Sequence, residues 1–136
     1  MSATLKAVVL ATAIGFAGAA FTQQPAPAQP PSGIKRTPLQ KVDVPGTNLD
    51  AITAIAEIAP NAAIGRHTHP GPETGYLIEG EMTLLIDGQP PRVLKAGESY
   101  QIPSGAIHDA KSTDKGVKVM AVYVVEKGKP LATPAP

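Results

Sequence analysis

Histidine occurs three times in this 136-residue chain, and two of the three, His67 and His69, stand one residue apart. On a β-strand, positions i and i+2 project from one face about 7 Å apart, close enough for both imidazoles to grip one ion. Thr68 must then face the other way. Glu73 follows His69 by four residues, beyond the turn Pro70-Gly71-Pro72, and offers a hard oxygen ligand. His108 follows Pro103-Ser104-Gly105-Ala106-Ile107, where Pro and Gly tighten a turn before a new strand. Three imidazoles and a carboxylate suit one divalent first-row metal, among Mn, Fe, Ni, Cu and Zn. Four protein ligands would leave an octahedral ion about two adjacent open positions, and an open position separates a catalytic site from a closed structural one. A His-x-His pair alone is a weak signal, since either residue serves equally well on a surface or in a core.

These side chains need strands to hold them, and strand signals follow one another at short intervals. Both Phe residues lie before residue 22 and Trp is absent, so the core must come from Ile, Val, Leu, Ala and the three Tyr. Branched chains fit a pleated surface better than a helix. Ile52, Ile55 and Ile58 are spaced like a helical stripe, and Ala51, Ala54 and Ala56 favour helix. Pro45-Gly46 and Pro60-Asn61 nevertheless bracket a run short enough for a strand, which is the preferred reading. Met82, Leu84 and Ile86 alternate with Glu81, Thr83 and Leu85 before Asp87-Gly88, a hairpin turn. A short strand follows Pro90-Pro91 through Val93 to Lys95, and Ala96-Gly97 turns the chain again. The longest late strand spans Val117 to Val125, with Val117, Val119, Ala121, Tyr123 and Val125 on one face. About eight or nine short antiparallel strands imply an all-β fold, a small barrel or double-sheet sandwich.

From His67 the chain reads His-x-His, three residues, Glu73, six residues, Gly80, which resembles the first signature of the cupin superfamily. From Gly97 it reads five residues, Pro103, one residue, Gly105, two residues, His108, which resembles the second, with sixteen residues between Gly80 and Gly97. The resemblance is to small single-domain bacterial cupins. Asn61 stands where the pattern has Gly, and Asn also tolerates positive φ; Ser112 stands where an Asn often ends the second signature. The resemblance implies a cupin-type jelly-roll β-barrel with His67, His69, Glu73 and His108 pointing inward onto one metal. Small barrels of this kind include quercetinase-like oxygenases and relatives associated with carboxymuconolactone decarboxylase.

Composition bounds the rest. Twelve Lys and Arg against eleven Asp and Glu leave a formal charge of +1, a near-neutral surface unsuited to broad binding of a nucleic-acid backbone. Cysteine is absent, which excludes disulfides, thiolate metal sites, a cysteine nucleophile and a lipidated Cys anchor. Residues 1–20 carry Lys6 ahead of an apolar run ending in small residues, the form of a secretory signal peptide and too short for a membrane span. No Arg pair precedes the run, so Sec-type export to the periplasm or outside the cell is expected, with no membrane contact after cleavage. Residues 21–36 read as a Pro/Ala-rich linker, 37–127 as the barrel and 128–136 as a disordered tail.

The expected function is a metal-dependent enzyme acting on a small oxygenated organic molecule, dioxygenase-like ahead of decarboxylase, lyase or isomerase. The alternative is a non-catalytic module of the cell envelope that binds a small ligand or metal. No catalytic residue is assigned. Tyr76 and Tyr100 lie beside the motifs as candidate proton donors, although core packing is the simpler reading of both, and Gln101 is a candidate for the barrel mouth. Arg66 and Asp109 should face away from their neighbouring ligands by parity, and Glu79 and Glu81 should flank Gly80 in a solvated turn. A barrel this small has a limited core, which makes a homodimer plausible.

Overall fold

Alternation of branched and polar side chains predicts pleated strands, and the computed structural model, which describes residues 33–136, contains no helix among them. Eight strands are formed: β1 (Ile34–Asp43), β2 (Leu49–Ile58), β3 (His67–Thr68), β4 (Glu73–Ile86), β5 (Arg92–Lys95), β6 (Ser99–Ile102), β7 (His108–Glu126) and β8 (Thr133–Pro134). All pairings are antiparallel. The order β1-β2-β7-β3-β8 runs along one path, while β4 pairs with β5, β6 and β7. The sheet curls on itself as a jelly-roll, the all-β fold expected.

Strand β7 is the spine of the sheet. Its later half carries β2 on one side and the first half of β4 on the other; its earlier half pairs with β3 and the second half of β4. The face Val117, Val119, Ala121, Tyr123, Val125 is buried throughout, as its alternation predicts, and it packs against Ala54, Ala56 and Ile58 of β2 and Leu77 of β4. The strand reading of the Ile52–Ile58 run holds. Residues three apart cannot share one face of a strand, so Ala54, Ala56 and Ile58 point inward while Ile55 lies on the other side.

A straight nineteen-residue strand would separate His108 from Tyr123 by roughly 50 Å at ~3.3 Å per residue. Both nevertheless lie beside the His69 ring, with centroids 5.1 Å and 4.9 Å away. The chain turns a corner at Gly80 of β4 and Gly116 of β7, whose φ angles are 84° and 72°, and the β4–β7 register shifts on either side of Gly80. Inward residues change from odd (Glu73, Gly75, Leu77) to even (Met82, Leu84, Ile86) across it. The corner folds both ends of each strand over one interior.

Four expectations are corrected by this arrangement. Glu79, Gly80 and Glu81 form no turn between strands; they are a bulge inside β4, with Glu79 and Glu81 in ion pairs to Lys118 and Lys95. The barrel begins at Ile34, since Ile34, Lys35 and Arg36, placed in the linker by composition, pair with Ile58, Glu57 and Ala56. The late strand starts at His108, nine residues before Val117. The tail 128–136 is ordered: Thr133 and Pro134 pair with Thr68 and His67, and the Ala135 amide donates to the Arg66 carbonyl at 2.9 Å. The short edge left open by β3 supplies those partners, which composition alone does not reveal. The expected leader and the linker before residue 33 lie outside the described residues.

Asn61, in place of the signature glycine, has φ 55°, and Ser112 bonds the same loop through Ala59 and Ala62. The two departures from the sequence pattern therefore meet in space.

A Cβ at Gly80 would collide with the Gly116 carbonyl oxygen and would also occupy a left-handed backbone. Gly80→Ala is expected to cost about 2–3 kcal/mol or more, read as a lower urea midpoint at unchanged m-value. A variant as stable as the parent would show that the corner does not need this glycine.

Candidate metal centre

Strand parity places the first two histidines together, and pairing adds the third. His67 and His69 flank Thr68 on one face, and His67 lies directly opposite His108 across the β3–β7 pair. Their ring centroids stand 4.9 Å (His67–His69), 4.1 Å (His67–His108) and 5.1 Å (His69–His108) apart. One ligand nitrogen from each lies within 4.8 Å of the others, and all three residues are buried. Two ligands each ~2.1 Å from a common ion stand about 3–4 Å apart, so modest rotation of the rings converts the cluster into a coordination shell. His67, His69 and His108 could hold a metal ion.

The tautomers decide how the cluster presents itself. Each Nδ1 faces a backbone carbonyl: His67 to Gly65 at 2.7 Å, His69 to Leu131 at 2.6 Å, His108 to Ala106 at 2.9 Å. A carbonyl only accepts, so Nδ1 carries the proton in all three rings and Nε2 is left with a lone pair when the ring is neutral. Nε2 of His69 and of His108 are buried with no hydrogen-bond partner. An unpartnered buried acceptor costs roughly 1–3 kcal/mol, and two such atoms directed at one point suit a bound cation. Outer hydrogen bonds of this kind fix ring orientation in metal sites.

Glu73 opens β4 with its carboxylate in the cluster, Oε2 lying 2.9 Å from His69 Nε2 and 3.7 Å from His108 Nε2. The other oxygen, Oε1, accepts the Tyr100 hydroxyl at 2.7 Å. Burial works to raise the carboxyl, but the hydrogen bonds that the His108 and His69 rings donate when protonated, with that of the Tyr100 hydroxyl, outweigh it and hold Glu73 below the usual carboxylate range. Burial first, then the Glu73 charge, pushes the Tyr100 hydroxyl well above its ordinary value, so it remains a neutral donor. For His67, burial lowers the ring to about 4, reinforced by His108 and His69 and opposed by the Gly65 carbonyl. Anion and lone pairs thus face one another in a setting that resists protonating at least one imidazole.

Gly75 makes the Tyr100 contact possible. The two residues are paired across β4 and β6, and the Tyr100 ring lies where a Gly75 side chain would otherwise be. Of the three aromatic or amide candidates near the motifs, Tyr100 alone belongs to the site. Tyr76 is 46% exposed on the outer face of β4, because it stands three positions from Glu73 and parity turns it outward. Gln101 is exposed on the face opposite Tyr100. Arg66 points out, as expected, and is paired through both terminal nitrogens with Asp87 at 2.8 Å. Asp109 faces away from the rings yet is buried, accepting the Gly65 amide at 2.9 Å. Two contributors went unforeseen: Tyr123, whose ring packs on His69, and the Leu131 carbonyl from the tail. The strict alternation of β7 marks Tyr123 as inward-facing, whereas no sequence signal marks a backbone carbonyl.

Comparison with known proteins agrees with this geometry. The family profile for the cupin domain matches residues 54–125, more than half of the chain. The protein belongs to the cupin family. Among curated relatives of this cupin, dimethylsulfoniopropionate lyase DddQ of Ruegeria pomeroyi is 32% identical over 57 residues, 42% of this chain and 28% of that protein. The HTH-type transcriptional regulator PuuR of Escherichia coli is 40% identical over 52 residues, 38% of this chain and 28% of the regulator. Oxalate oxidase GF-3.8 of Triticum aestivum is 30% identical over 102 residues, 68% of this chain and 46% of the oxidase. The chain thus spans less than half the length of each. The crystal structure of the Ruegeria DddQ lyase superposes with a TM-score of 0.63 at 19% identity, covering 75% of this chain and 51% of the lyase, a likeness of fold.

Two outcomes test the centre. Between pH 6.5, the ordinary histidine value, and about 4, the unfolded chain binds a proton at His67 that the folded chain resists. Stability of chelated protein should therefore fall as pH drops through that window, seen as a declining Tm between pH 7 and 4.5; a flat or rising Tm would contradict the assignment. Ending the chain at Lys129 removes the Leu131 carbonyl and should weaken metal binding about 10–100-fold. Nitrogen-15 NMR of the His69 ring should at the same time show loss of the pure Nδ1–H tautomer, whereas an unchanged tautomer would show that another group orients the ring.

Proposed function

We propose that this cupin is an exported mononuclear metal enzyme acting on a small oxygenated organic molecule, with His67, His69, Glu73 and His108 as ligands. The observation that carries this reading is the pair of buried, unpartnered Nε2 atoms beside the Glu73 carboxylate. An ion of the Mn, Fe, Ni, Cu or Zn group would supply a Lewis acid for substrate oxygen and, for the redox-active members, electron exchange with dioxygen. Dioxygenase-like turnover is the first choice and decarboxylase, lyase or isomerase chemistry the next. The names of the relatives, a lyase and an oxidase, support both branches. Export rests on the form of residues 1–20.

The chain's own residues define what surrounds the reaction. Tyr100 holds its proton on Glu73 Oε1, which leaves Oε2 directed at the imidazoles and keeps the carboxylate from rotating. For Tyr100 to deliver that proton to a substrate, its O–H must swing away from Glu73, so its first role is to orient the ligand. Met82, Ala110 and Val119 wall the interior with apolar surface, which limits water around the reacting atoms.

A second reading, a binding module that captures a small ligand or metal without changing it, is favoured by the cavity beside the cluster, only about 20 Å³, room for about one water molecule. The likeness to a transcriptional regulator is compatible with it.

Elemental analysis of protein purified from its native compartment should find close to one divalent transition metal per chain. His108→Ala should lower metal affinity by more than the ~10–100-fold an outer partner contributes, with the Tm of chelated protein retained. Glu73→Gln should weaken it less, since an amide oxygen still coordinates. Oxygen uptake or product formation over phenolic, keto-acid and sugar-acid panels supports the enzyme. Ligand retained unchanged by mass spectrometry supports the module, and metal retained by His108→Ala overturns both.

A further inference from the structure

Among the described residues, Arg36 is the one charged side chain that lines the cavity beside the cluster together with Glu73, His67 and His108. It enters from β1, where Ile34 and Arg36 turn inward while Lys35 and Thr37 face solvent, and it lies across from Ala56 on the inner face of β2. Its Nε donates to the Tyr123 hydroxyl oxygen at 3.4 Å. Among the described residues, no carboxylate pairs with its guanidinium, as with Arg92, Lys111 and Lys115, whereas Lys35, Lys41, Arg66, Lys95, Lys118, Lys127 and Lys129 have acidic partners. Tyr123 is buried. With its oxygen accepting from Arg36, its own proton is free to be donated. Arg36 and Tyr123 together present a guanidinium fork and a phenol O–H, donors only, for which no described residue supplies an acceptor.

We propose that Arg36 and Tyr123 form an anion clamp that binds the carboxylate of a small organic acid whose other end reaches the histidine cluster. This rests on the metal-site reading above and names the substrate class for it. Size and charge both support the assignment. The cavity of about 20 Å³ admits little more than one oxygen-bearing group, and Arg36 and Tyr123 line it together with His67, Glu73 and His108, so any group that enters lies beside both the donors and the cluster. Glu73 offsets half the charge of a divalent ion, and Arg36 adds to the surplus, so a monoanion is favoured over a neutral molecule of equal size. Guanidinium matches carboxylate through two parallel N–H···O bonds, which a lysine cannot reproduce. Contact with Tyr123 carries a further consequence: its ring packs on His69, so a bound carboxylate also braces a metal-ligand ring.

The probe is glycolate, with ethylene glycol as its neutral counterpart, titrated into full-length protein loaded with Co(II) and followed by the visible spectrum. Glycolate should bind at least tenfold more tightly than ethylene glycol. Arg36→Gln should weaken glycolate at least tenfold while leaving ethylene glycol and Co(II) affinity within twofold. Arg36→Lys should fall between, keeping the charge and losing the fork. Equal glycolate affinity in parent and Arg36→Gln would overturn the clamp, as would an equal loss for the neutral diol. Thermal melts establish that the variants are folded. Should the parent take up no Co(II), the metal reading is what fails. The clamp is then read from the Arg36 Nε–H resonance of the metal-free protein, which glycolate should shift and ethylene glycol should not; an unmoved resonance overturns it.

Discussion

Three hydrogen bonds from ring nitrogen to backbone carbonyl set the character of this barrel's interior. Gly65, Ala106 and Leu131 each accept the Nδ1–H of one histidine, and that choice turns three side chains that can each be donor or acceptor into three Nε2 lone pairs aimed at one volume. Had the rings been held by side-chain hydroxyls, which donate as readily as they accept, either tautomer would satisfy them and the cluster could quench itself internally. Carbonyls remove that freedom. The resulting concentration of lone pairs next to an ionised carboxylate is unfavourable for a folded protein by itself, and it persists because the surrounding sheet over-determines it.

The sheet achieves this by folding its two longest strands back across themselves. Glu73 and Ile86 are the ends of β4, and His108 and Glu126 the ends of β7; without the corner at Gly80 and Gly116, Tyr123 and His108 could not both meet His69. The same corner reverses which parity points inward, so Val119 and Ala110 line one interior although they stand an odd number of residues apart. Small side chains at Ala54, Ala56, Ala110 and Ala121 then let the walls approach, which keeps the cavity narrow. Apolar walls and a polar cluster within them are consequences of one closure.

Much of this was legible in the sequence, for reasons that also explain what was not. Ligand types at strand spacing, His67 with His69 and then Glu73 and His108 in two signatures, pointed to residues the structure gathers, because period-two geometry converts spacing directly into facing. The alternation in Val117–Val125 located the core by the same logic. Parity also contained the outward placement of Tyr76 and Gln101: each is an odd step from an inward neighbour. Their candidacy rested on chemical type and closeness in sequence, and neither measures direction. The ordered tail was hidden for a different reason. Its Pro, Ala and Thr residues lack a hydrophobic pattern, and its partners are the backbone groups of a two-residue strand. Gly80 looked like a turn because a bulge and a turn make the same demand, positive φ, of the same residue.

The tail also changes how stability and loading relate. A metal ion that binds the folded barrel and not the unfolded chain adds RT ln(1 + [L]/Kd) to stability, about 2.7 kcal/mol at a hundred times Kd. In a barrel whose buried set is rich in Ala and Val, that is a sizeable fraction of the whole. Because His69 is oriented through Leu131, part of this energy is transmitted to β8, whose two residue pairs with β3 are too few to hold a strand in place alone. A bound ion would therefore stiffen β8, and β8 would in turn sharpen the site. The two are linked reciprocally, as any pair of coupled equilibria must be, so looseness at the C-terminus and weak metal binding are two views of one equilibrium.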